Sequence, residues 1–482
     1  MKAESRDYGV LLFMFISLIW LYRLLVLGTS EIDLYLDEAY YYNWSQNLDL
    51  GYYSKPPMLS LLIALTTKLF GSSVIAIKFG AELVYPITTF VIYLIAKELF
   101  DSKIAFYSAL SFFTLPSIWL SSLIISTDVV LLLFWALGLL FFIRSLKSDK
   151  FVDWLFAGIF SGLGLLSKYN YIFFLISIIL TFLLIKKYRK NFTNGYFYMA
   201  MVVAFLIFLP NLWWNYQNEF ISFVHTKQIS HVEGKLLHPN KFFDFFGAQF
   251  IVFGPILFFY FWVIVFKRAF LKDDRYLILF LFSIVMLGFI MVLSFMSRSF
   301  ANWAAPTYVA ATILVVAYLI ERGKTSLVIA SIVIHSLLGM ALYHYHDLAK
   351  LADVTLTKRS DPYNRVIGWR DVMTQIKDLR EGYKNRLILS KSRGSVAELD
   401  YYVGEKTYIF NPHHEMENQY HMDRDLNEFK SRDFLYVGSD KDEELLNKYF
   451  EKVSKLKDVS VPLYKDYNRS YSLFLVDHFR GY

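Results

Sequence analysis

The sequence contains no cysteine among its 482 residues. Disulfide frameworks and thiolate metal sites are therefore excluded, and an oxidising compartment is permitted but not required. The chain also lacks an internal repeat and a low-complexity tract, which argues against an architecture built on inverted repeats. No basic run is interleaved with base-stacking aromatic residues in a soluble stretch, so a nucleic-acid partner is not expected.

Charged residues are scarce, at 19%, whereas 56% of the residues are hydrophobic and the mean hydropathy is +0.39. A soluble fold of this length cannot bury so much apolar surface, so the composition predicts an integral membrane protein. Apolar runs predict about eleven membrane helices, with ten to thirteen allowed. They lie near residues 8–28, 74–96, 104–120, 128–143, 151–167, 169–185, 195–213, 247–266, 276–296, 301–320 and 325–343. No small-residue cleavage site follows the first run, which is expected to be a retained helix.

Lysine and arginine residues are concentrated in alternate loops, around residues 97–103, 144–150, 186–190, 267–275 and 322–324. Short loops rich in these residues stay in the cytoplasm, which places the N-terminus inside. The loop after the first span, residues 29–72, is then on the outer side. Because the number of spans is odd, the C-terminal segment is on the outer side as well. The net charge of +7 is explained mostly by the inner-loop cations, which face an anionic leaflet.

Two domains are predicted: a transmembrane domain, residues 1–343, and a soluble α/β domain, residues 344–482. After residue 343 charged residues become frequent and the apolar runs shrink to strand length. The stretches RLILSKS, TYIFNP, DFLYVGS and SYSLFLVDHF predict strands. WRDVMTQIKDLREGY and DEELLNKYFEKVSKL have helical periodicity.

The first outer loop is too polar at its start to span a membrane, and its second half, PPMLSLLIALTTKLFG, is too short. We expect helices that lie along the membrane surface. Pro56 and Pro57 are expected to begin the second of these helices, because proline is tolerated in a first helical turn. This holds Lys55 at a rigid corner.

Three acids stand near the predicted outer face. Asp37 and Glu38 lie in the first outer loop, where they could equally be a solvated pair or charges that favour a helix N-terminus. Asp128 begins a span, where burying a carboxylate is costly without a partner or a function. Capping by Ser126 or Thr127 would make Asp128 an ordinary first-turn residue.

Positively charged residues are predicted at the same membrane face as these acids. Arg298 lies at another outer helix end, and its alternative role is an interfacial anchor, with Trp303 in the aromatic belt. Lys168 and Asn170 interrupt an apolar stretch and mark a tight outer turn. Two carboxylates with Lys55 and Arg298 at one membrane face would suit a substrate that includes a lipid phosphate.

At these residues the sequence resembles the bacterial family 39 glycosyltransferases of the GT-C fold, whose relatives include protein O-mannosyltransferases and the aminoarabinose transferase that modifies lipid A. The matching pieces occur in the family's order between about residues 34 and 375. They are LDEAYYYNWSQNL, GYYSKPPMLSLLIALTTKLFG, STDVVLLLFWALGL, GLGLLSKYNYIFFL, LPNLWWNYQNEFISFVH, NWAAPTYVAA and DPYNRVIGWRDV. The resemblance implies transfer of a sugar from a polyprenyl-phosphate donor on the periplasmic face of the bacterial inner membrane.

The resemblance also implies roles for individual residues. Asp37 would engage the acceptor, with Glu38 as its neighbour, and Asp128 would support Asp37 or bind the acceptor. Lys55 would hold the donor phosphate, and Lys168 and Arg298 are further candidates for that role. Candidate substrate contacts are Tyr40, Tyr41, Tyr53, Asn170, His225 and Trp303.

One position departs from the pattern of the aminoarabinose transferases, which have an arginine two residues after the acid pair. Here that position is Tyr40, which argues against an aminoarabinose donor. The outer loop from residue 215 to 244, which includes His225, Lys227 and His231, is a candidate gate over the cavity. Trp213 and Trp214 before it are interpreted as interface anchors.

The expected reaction is an inverting displacement at the anomeric carbon, with Asp37 as general base. The acceptor could be lipid A, another envelope glycan or a protein. No cofactor is required, and a divalent cation is allowed. His413, His414, Glu415 and His421 have ligand types, but their spacing fits no standard zinc pattern. A lipid-linked sugar flippase or a carbohydrate-binding membrane protein are the alternatives; a flippase would require charges at the middle of several spans.

Overall fold

The computed structural model describes residues 7–229 and 237–482 and consists mostly of helices. The helices, in chain order, are α1 (Tyr8–Thr29), α2 (Leu36–Gln46), α3 (Met58–Phe70), α4 (Val74–Leu99), α5 (Ser102–Phe113), α6 (Pro116–Leu123), α7 (Thr127–Ser148), α8 (Phe151–Leu165), α9 (Ile172–Leu184), α10 (Gly195–Gln217), α11 (Ile221–Ile229), α12 (Pro239–Val252), α13 (Pro255–Phe266), α14 (Asp274–Met296), α15 (Thr307–Ile320), α16 (Thr325–Tyr343), α17 (Tyr345–Leu351), α18 (Trp369–Arg380), α19 (Arg393–Tyr402), α20 (Gln419–Asp423) and α21 (Glu443–Tyr449). Short 3-10 helices include Tyr169–Tyr171, Lys186–Thr193, Ala269–Lys272, Ala301–Ala304, Glu381–Tyr383, Leu426–Phe429 and Asp440–Asp442.

The chain divides into two units. The membrane unit comprises the segment ending at Gly28, the short segment Lys55–Leu59, and Lys78–Tyr345. The sheet unit comprises Thr29–Ser54, Ser60–Ile77 and His346–Tyr482, so it contains most of the first loop together with the C-terminal segment.

Within the described residues, six helices are each long and apolar enough to cross a membrane: α1, α4, α7, α10, α14 and α16. Three further spans are obtained if the bent pairs α5–α6, Tyr169–Leu184 with Lys186–Thr193, and α12–α13 each count once. The shorter apolar helices α8 and α15 cover the remaining two predicted segments, so every predicted span coincides with an apolar helix or a bent pair. The prediction of a polytopic helical membrane protein is confirmed.

Two of the three bent pairs are explained by residues that interrupt a helix. Pro116 occupies the first turn of α6 and lacks the N–H that a continuous helix from α5 would need. Gly254 separates α12 from α13 with a φ of 89°, and a Cβ added there would collide with the ring of His335. A larger residue at position 254 is therefore excluded both by its backbone conformation and by space.

The centre of the membrane unit is helix α15, whose residues from Thr307 to Leu319 are all buried. It packs against α5, α13 and α14, and a helix that is apolar on every side is expected at such a position. Elsewhere small residues permit close helix contact: a Cβ at Gly158 of α8 would lie 2.5 Å from the Ala200 carbonyl oxygen of α10.

Two buried cations, Arg23 and Lys78, stabilise the broken pair α5–α6. Neither of these contacts was predicted from the sequence. The Arg23 guanidinium donates to the Phe113 carbonyl at 2.7 Å and to Ser122 Oγ at 3.1 Å. The Lys78 Nζ donates to the Leu123 carbonyl at 2.9 Å. Both carbonyls lie at helix C-termini, where a helix has unpaired acceptors and a partial negative charge, so these cations satisfy groups that the break exposes.

The sheet unit contains a five-stranded sheet in the order β2-β1-β3-β5-β4. The strands are β1 (Leu387–Ser390), β2 (Thr407–Ile409), β3 (Phe434–Gly438), β4 (Phe450–Tyr464) and β5 (Tyr467–Phe479). β1 pairs in parallel with β2 and β3, and β5 runs antiparallel to β3 and β4. Ile388 packs in one core with α18 and α19, whereas its neighbour Leu389 packs in a second core with α21. Helices therefore cover both faces, and the prediction of an α/β fold is confirmed.

One part of that prediction is wrong. The helical periodicity of DEELLNKYFEKVSKL predicts a helix, but α21 ends at Tyr449 and β4 begins at Phe450. Strand β4 pairs with β5 over most of its length, and its residues Phe450 and Val459 are buried in the two cores. Pairing and burial on a sheet override the local helical pattern here.

The sheet unit also contains an ion pair that makes its stability depend on pH. His346 of α17 lies 2.8 Å from Asp361, and Asp361 also accepts a hydrogen bond from Tyr464. The hydrogen bond to Asp361 raises the pKa of His346 above its usual 6.5, with smaller contributions from Asp347 and Glu31. The hydrogen bonds from His346 and Tyr464 outweigh burial and lower the pKa of Asp361 below its usual 3.8.

We expect His346→Gln to lower the thermal unfolding midpoint only where the pair is charged. The raised histidine pKa stabilises the fold below pH 6.5, and this contribution is lost as the pH rises through the folded pKa. The lowered aspartate pKa adds stability above pH 3.8, which is lost as the pH falls through the folded pKa. The effect should stay below about 1 kcal/mol because His346 is half exposed. Thermal unfolding from pH 4 to 9, with exposed His413→Gln as control, measures it; a difference that persists at pH 9 would contradict this account.

Candidate active site

The acidic motif of the first loop is held in the sheet unit by helix termini. Asp33 is buried and accepts hydrogen bonds from the backbone N–H groups of Trp369 and Arg370 at 2.7 and 3.2 Å. It thereby satisfies donors at the start of α18, although burial raises the pKa of its carboxyl. The next residue, Leu34, donates its N–H to the Tyr402 hydroxyl of α19. These contacts fix the point at which α2 begins.

Asp37 lies in the first turn of α2, and its carboxylate is paired with Arg393 of α19. The Nη2–Oδ1 distance is 2.9 Å, and the two side chains are 37% and 35% exposed, so the pair remains accessible from solvent. Burial alone would lower the pKa of the Arg393 guanidinium, but the neighbouring charge of Asp37 contributes to raising it instead. The same guanidinium lies 4.9 Å over the ring of Tyr40. The carboxylate is thus oriented by a cation that belongs to the C-terminal part of the chain.

Glu38 has a different environment from its neighbour. It is fully buried, and its Oε2 accepts a hydrogen bond from the backbone N–H of Tyr35 at 2.8 Å. This is half of a capping box, in which a residue of the first turn closes the helix N-terminus. Glu38 therefore fixes the start of α2, one residue from the carboxylate of Asp37.

The tyrosines of the motif are buried in the sheet unit. The Tyr40 hydroxyl accepts the backbone N–H of Gln419, and burial raises its pKa above the usual 10.0. Tyr53 donates its backbone N–H to the Gln419 side chain and its hydroxyl to the Met416 carbonyl. Tyr41 packs against Trp44 at 5.1 Å. These contacts give Tyr40, Tyr41 and Tyr53 a packing function.

In the membrane unit, Asp128 and Lys168 are brought together across 40 residues of sequence. Lys168 Nζ lies 2.7 Å from Asp128 Oδ1, and the side chains are only 11% and 6% exposed. Asn302 donates its Nδ2 to the other carboxylate oxygen, Oδ2, at 2.9 Å. Ser126 caps helix α7 by accepting the hydrogen bond from the Asp128 N–H. The Asp128 carboxylate therefore does not cap the helix and binds Lys168 and Asn302 instead.

The Lys55 corner is attached to the turn that carries Lys168. The N–H of Met58 donates to the carbonyl of Leu166 at 3.2 Å, and both residues belong to the membrane unit. Helix α3 begins at Met58, so Pro56 and Pro57 precede it instead of forming its first turn, and the prediction on this point was wrong. The carbonyl of Leu166 accepts the hydrogen bond from the first N–H of α3, so the two prolines are not needed to begin the helix.

The other predicted residues are distributed over the membrane unit. Arg298 is exposed, and its guanidinium lies 4.6 Å over the ring of Phe300. Trp303 shares the 3-10 helix Ala301–Ala304 with Asn302 and contacts Phe300 edge to face. Asn170 is half-buried in the 3-10 helix that follows Lys168.

In the candidate gate, His225 and Lys227 lie on α11, and His225 is half-buried. His231 lies outside the described residues, as does the rest of 230–236. The two tryptophans before the loop differ in environment, because Trp213 is 55% exposed and Trp214 is buried.

Two partners of the predicted acids, Arg393 for Asp37 and Asn302 for Asp128, were not predicted from the sequence. Asn302 begins the motif NWAAPTYVAA, so a polar side chain next to Trp303 was the available signal. Arg393 follows strand β1 in a stretch without recognisable pattern, and nothing near it in the sequence points to Asp37. In the described part of the chain no three His, Asp or Glu side chains are grouped so that they could hold a metal ion.

The comparisons with known proteins identify this chain of apolar spans with a C-terminal α/β sheet as a membrane glycosyltransferase of the GT-C fold. Solved structures support this fold: the chain is similar to ArnT from Cupriavidus metallidurans in the apo state, with a TM-score of 0.69, 12% identity and 98% coverage of both chains. The same enzyme bound to undecaprenyl phosphate gives a TM-score of 0.67 at 13% identity, again with 98% coverage of both.

The sequence comparisons are more specific. Residues 54–214 match the family described as dolichyl-phosphate-mannose-protein mannosyltransferase. The chain is also 33% identical over 393 residues to the lipid A galacturonosyltransferase RgtD of Rhizobium johnstonii, covering 80% of this chain and 81% of that enzyme. The identity to RgtD shows that the chain belongs to the same family of membrane glycosyltransferases, which use polyprenyl-phosphate-linked sugars. The resemblance to family 39, the enzymatic function and the expected donor class are thereby confirmed.

Proposed function

We propose that this protein transfers galacturonic acid from a polyprenyl phosphate to lipid A on the periplasmic face of the bacterial inner membrane. The observation that carries the proposal is the match to the lipid A galacturonosyltransferase, which extends over four fifths of both chains. Residues 1–343 would form the catalytic membrane domain and residues 344–482 the periplasmic domain. The distribution of lysine and arginine among the loops supports this orientation.

Asp37 is the proposed general base. Its accessible carboxylate would orient a hydroxyl of the acceptor and take its proton as the acceptor oxygen bonds to the anomeric carbon. The bond from that carbon to the phosphate oxygen breaks, its electron pair leaves with the polyprenyl phosphate, and the configuration at the anomeric carbon inverts. Glu38 supports the reaction indirectly because it fixes the first turn of α2.

Lysine and arginine side chains of the membrane unit are the proposed donor site. The leaving phosphate needs charge stabilisation more than protonation, and Lys55, Lys168 and Arg298 are the cations that would supply it. The hydrogen bond from Met58 to Leu166 supports a shared location for the first two. Asp128 and Asn302 would hold Lys168 in place, and a positioned ammonium group requires no reorganisation when charge develops.

The sugar specificity is proposed to depend on Arg393. An arginine stands two residues after the acid pair in aminoarabinose transferases, whereas here Tyr40 occupies that position and the Arg393 guanidinium lies over its ring. A guanidinium beside Asp37 suits a sugar that bears a carboxylate, because guanidinium and carboxylate groups form paired, charge-assisted hydrogen bonds.

The proposal is tested by mass spectrometry of lipid A from cells that express the wild-type protein or Asp37→Asn. We expect lipid A with one additional hexuronic acid residue in the wild type only, together with accumulation of polyprenyl-phosphate-linked hexuronic acid in the variant. Addition of a neutral or amino sugar would overturn the assignment of the sugar. A new hexuronic acid on another glycan, with unmodified lipid A, would overturn the assignment of the acceptor.

Arg393→Gln should reduce transfer of galacturonic acid by about tenfold or more, because a charge-assisted hydrogen bond to the substrate or to Asp37 is lost. Arg393→Lys should recover only part of this activity, since an ammonium group cannot form the bidentate pair. Kinetics with purified donor and acceptor measure both variants, with exposed Arg359→Gln in the same unit as control. If Arg393→Gln transferred at the wild-type rate, Arg393 would have no part in sugar selection.

A further inference from the structure

A cavity lies in the sheet unit, away from the acid pair in sequence. Its volume is about 470 Å³, which is within the range of pockets that bind small molecules. Ser390, the last residue of β1, and Gly438, the last residue of β3, both line it. The cavity therefore lies at the carboxyl ends of two adjacent parallel strands.

The topology of the sheet makes this a position at which α/β proteins bind ligands. After β1 the chain continues through α19 to β2, on one side of β1, whereas after β3 it continues through α21 towards β4, on the other side. Leu399 of α19 and Leu446 of α21 belong to the cores on opposite faces of the sheet. The two connections diverge and leave a crevice between them, which is the topological switch point of an open sheet.

The lining of the crevice combines hydroxyl groups, aromatic rings and cations. Serine hydroxyls include those of Ser392 and Ser470, and Lys391 and Arg469 are the lining cations. The Arg469 guanidinium lies 3.8 Å over the ring of Trp369. The lining acid Asp442 already accepts hydrogen bonds from the Tyr436 hydroxyl and the Ser439 N–H at 2.8 and 2.9 Å.

We propose that this crevice binds an anionic sugar, that is, a hexose or hexosamine ring that carries a phosphate or carboxylate. Hydroxyl groups and aromatic rings complement the polar edges and apolar faces of a sugar, and the excess of cations selects for the negative group. The proposal deepens the proposed function, because the phosphorylated glucosamine headgroup of the lipid A acceptor has this chemistry. The loop from β1 to α19 contains Lys391 at the crevice and is followed by Arg393, the partner of Asp37. Headgroup binding would thus order the same segment that orients the base.

The test is a calorimetric titration of the purified full-length protein in detergent with glucosamine 1-phosphate. We expect saturable binding to the wild type, binding weaker by about tenfold or more to Lys391→Glu and to Ser470→Glu, and wild-type binding to Lys377→Glu. Lys391, Ser470 and Lys377 are all exposed, so circular dichroism of each variant should match the wild type. Lys377, on α18, provides the same change of charge in the same unit but does not line the crevice.

Several outcomes would overturn the proposal. No saturable binding to the wild type, or equal losses in Lys391→Glu and Lys377→Glu, would show that the crevice has no specific affinity. Retained binding in Lys391→Glu with loss in Lys55→Ala would locate the ligand in the membrane unit instead. If inorganic phosphate binds as tightly as glucosamine 1-phosphate, the site recognises an anion and not a sugar. Because binding is measured without turnover, a failure of lipid A modification in cells would count against the proposed function alone.

Discussion

Asp37→Asn should lower the rate of sugar transfer by about 10²–10⁴-fold, the usual contribution of a general base. The substitution preserves the size of the side chain and removes its negative charge. The asparagine can still accept a hydrogen bond through its amide oxygen, but it cannot take a proton from the acceptor hydroxyl. Donor binding should be unchanged, because the proposed phosphate ligands lie in the membrane unit. Single-turnover transfer and equilibrium binding of a polyprenyl-phosphate donor measure the two quantities separately.

Two controls sharpen this prediction. Asp49→Asn makes the same chemical change at an exposed position of the first loop and should leave transfer unaltered. Lys55→Ala should produce the opposite pattern, with weakened donor binding as its main effect. Near-normal transfer by purified Asp37→Asn would remove Asp37 from the role of base. Equal losses of transfer and donor binding would instead indicate a general loss of folding.

The membrane architecture could be predicted from the sequence because it depends on local information. Each span is a run of apolar residues, and lipid imposes helix on such runs wherever they occur. The breaks at Pro116 and Gly254 are equally local, although their consequence, a bend between two short helices, becomes visible only in three dimensions. The position of a span within the bundle could not be predicted. Helix α15 has a sequence like those of the other spans, yet it is buried on every side.

The candidate site was predictable only where a motif existed. Asp37, Asp128 and Lys168 stand in recognisable motifs, but the ion pair of the last two joins residues 40 positions apart. Pairing over such distances is set by tertiary packing. Arg393 shows the same limit more strongly, since it comes from the opposite end of the chain to Asp37. Tyr40 stays a candidate for substrate contact because of its place in the motif, and its burial in the sheet unit is a second feature that the motif alone did not indicate.

The Asp128–Lys168 pair gives the second large effect. Lys168→Met should destabilise the protein by about 3–5 kcal/mol, because removal of one partner leaves a buried carboxylate with Asn302 as its remaining described hydrogen-bond donor. Asp128→Asn should also destabilise, since it leaves the ammonium group uncompensated. The double variant Asp128→Asn/Lys168→Met should recover much of the loss, because neither charge is then buried. Thermal unfolding in detergent, followed by tryptophan fluorescence, gives the order of the four midpoints.

The double variant also separates the structural role of the pair from its proposed role in catalysis. If Lys168 only stabilises the fold, then recovery of the unfolding midpoint should be accompanied by recovery of donor binding. If Lys168 also contacts the donor phosphate, the double variant should be stable and still bind the donor weakly, by about tenfold or more. Lys168→Arg is the matched control, because it keeps the charge and should retain both stability and most of the binding. A double variant less stable than both single variants would show that the pair is not the source of the destabilisation.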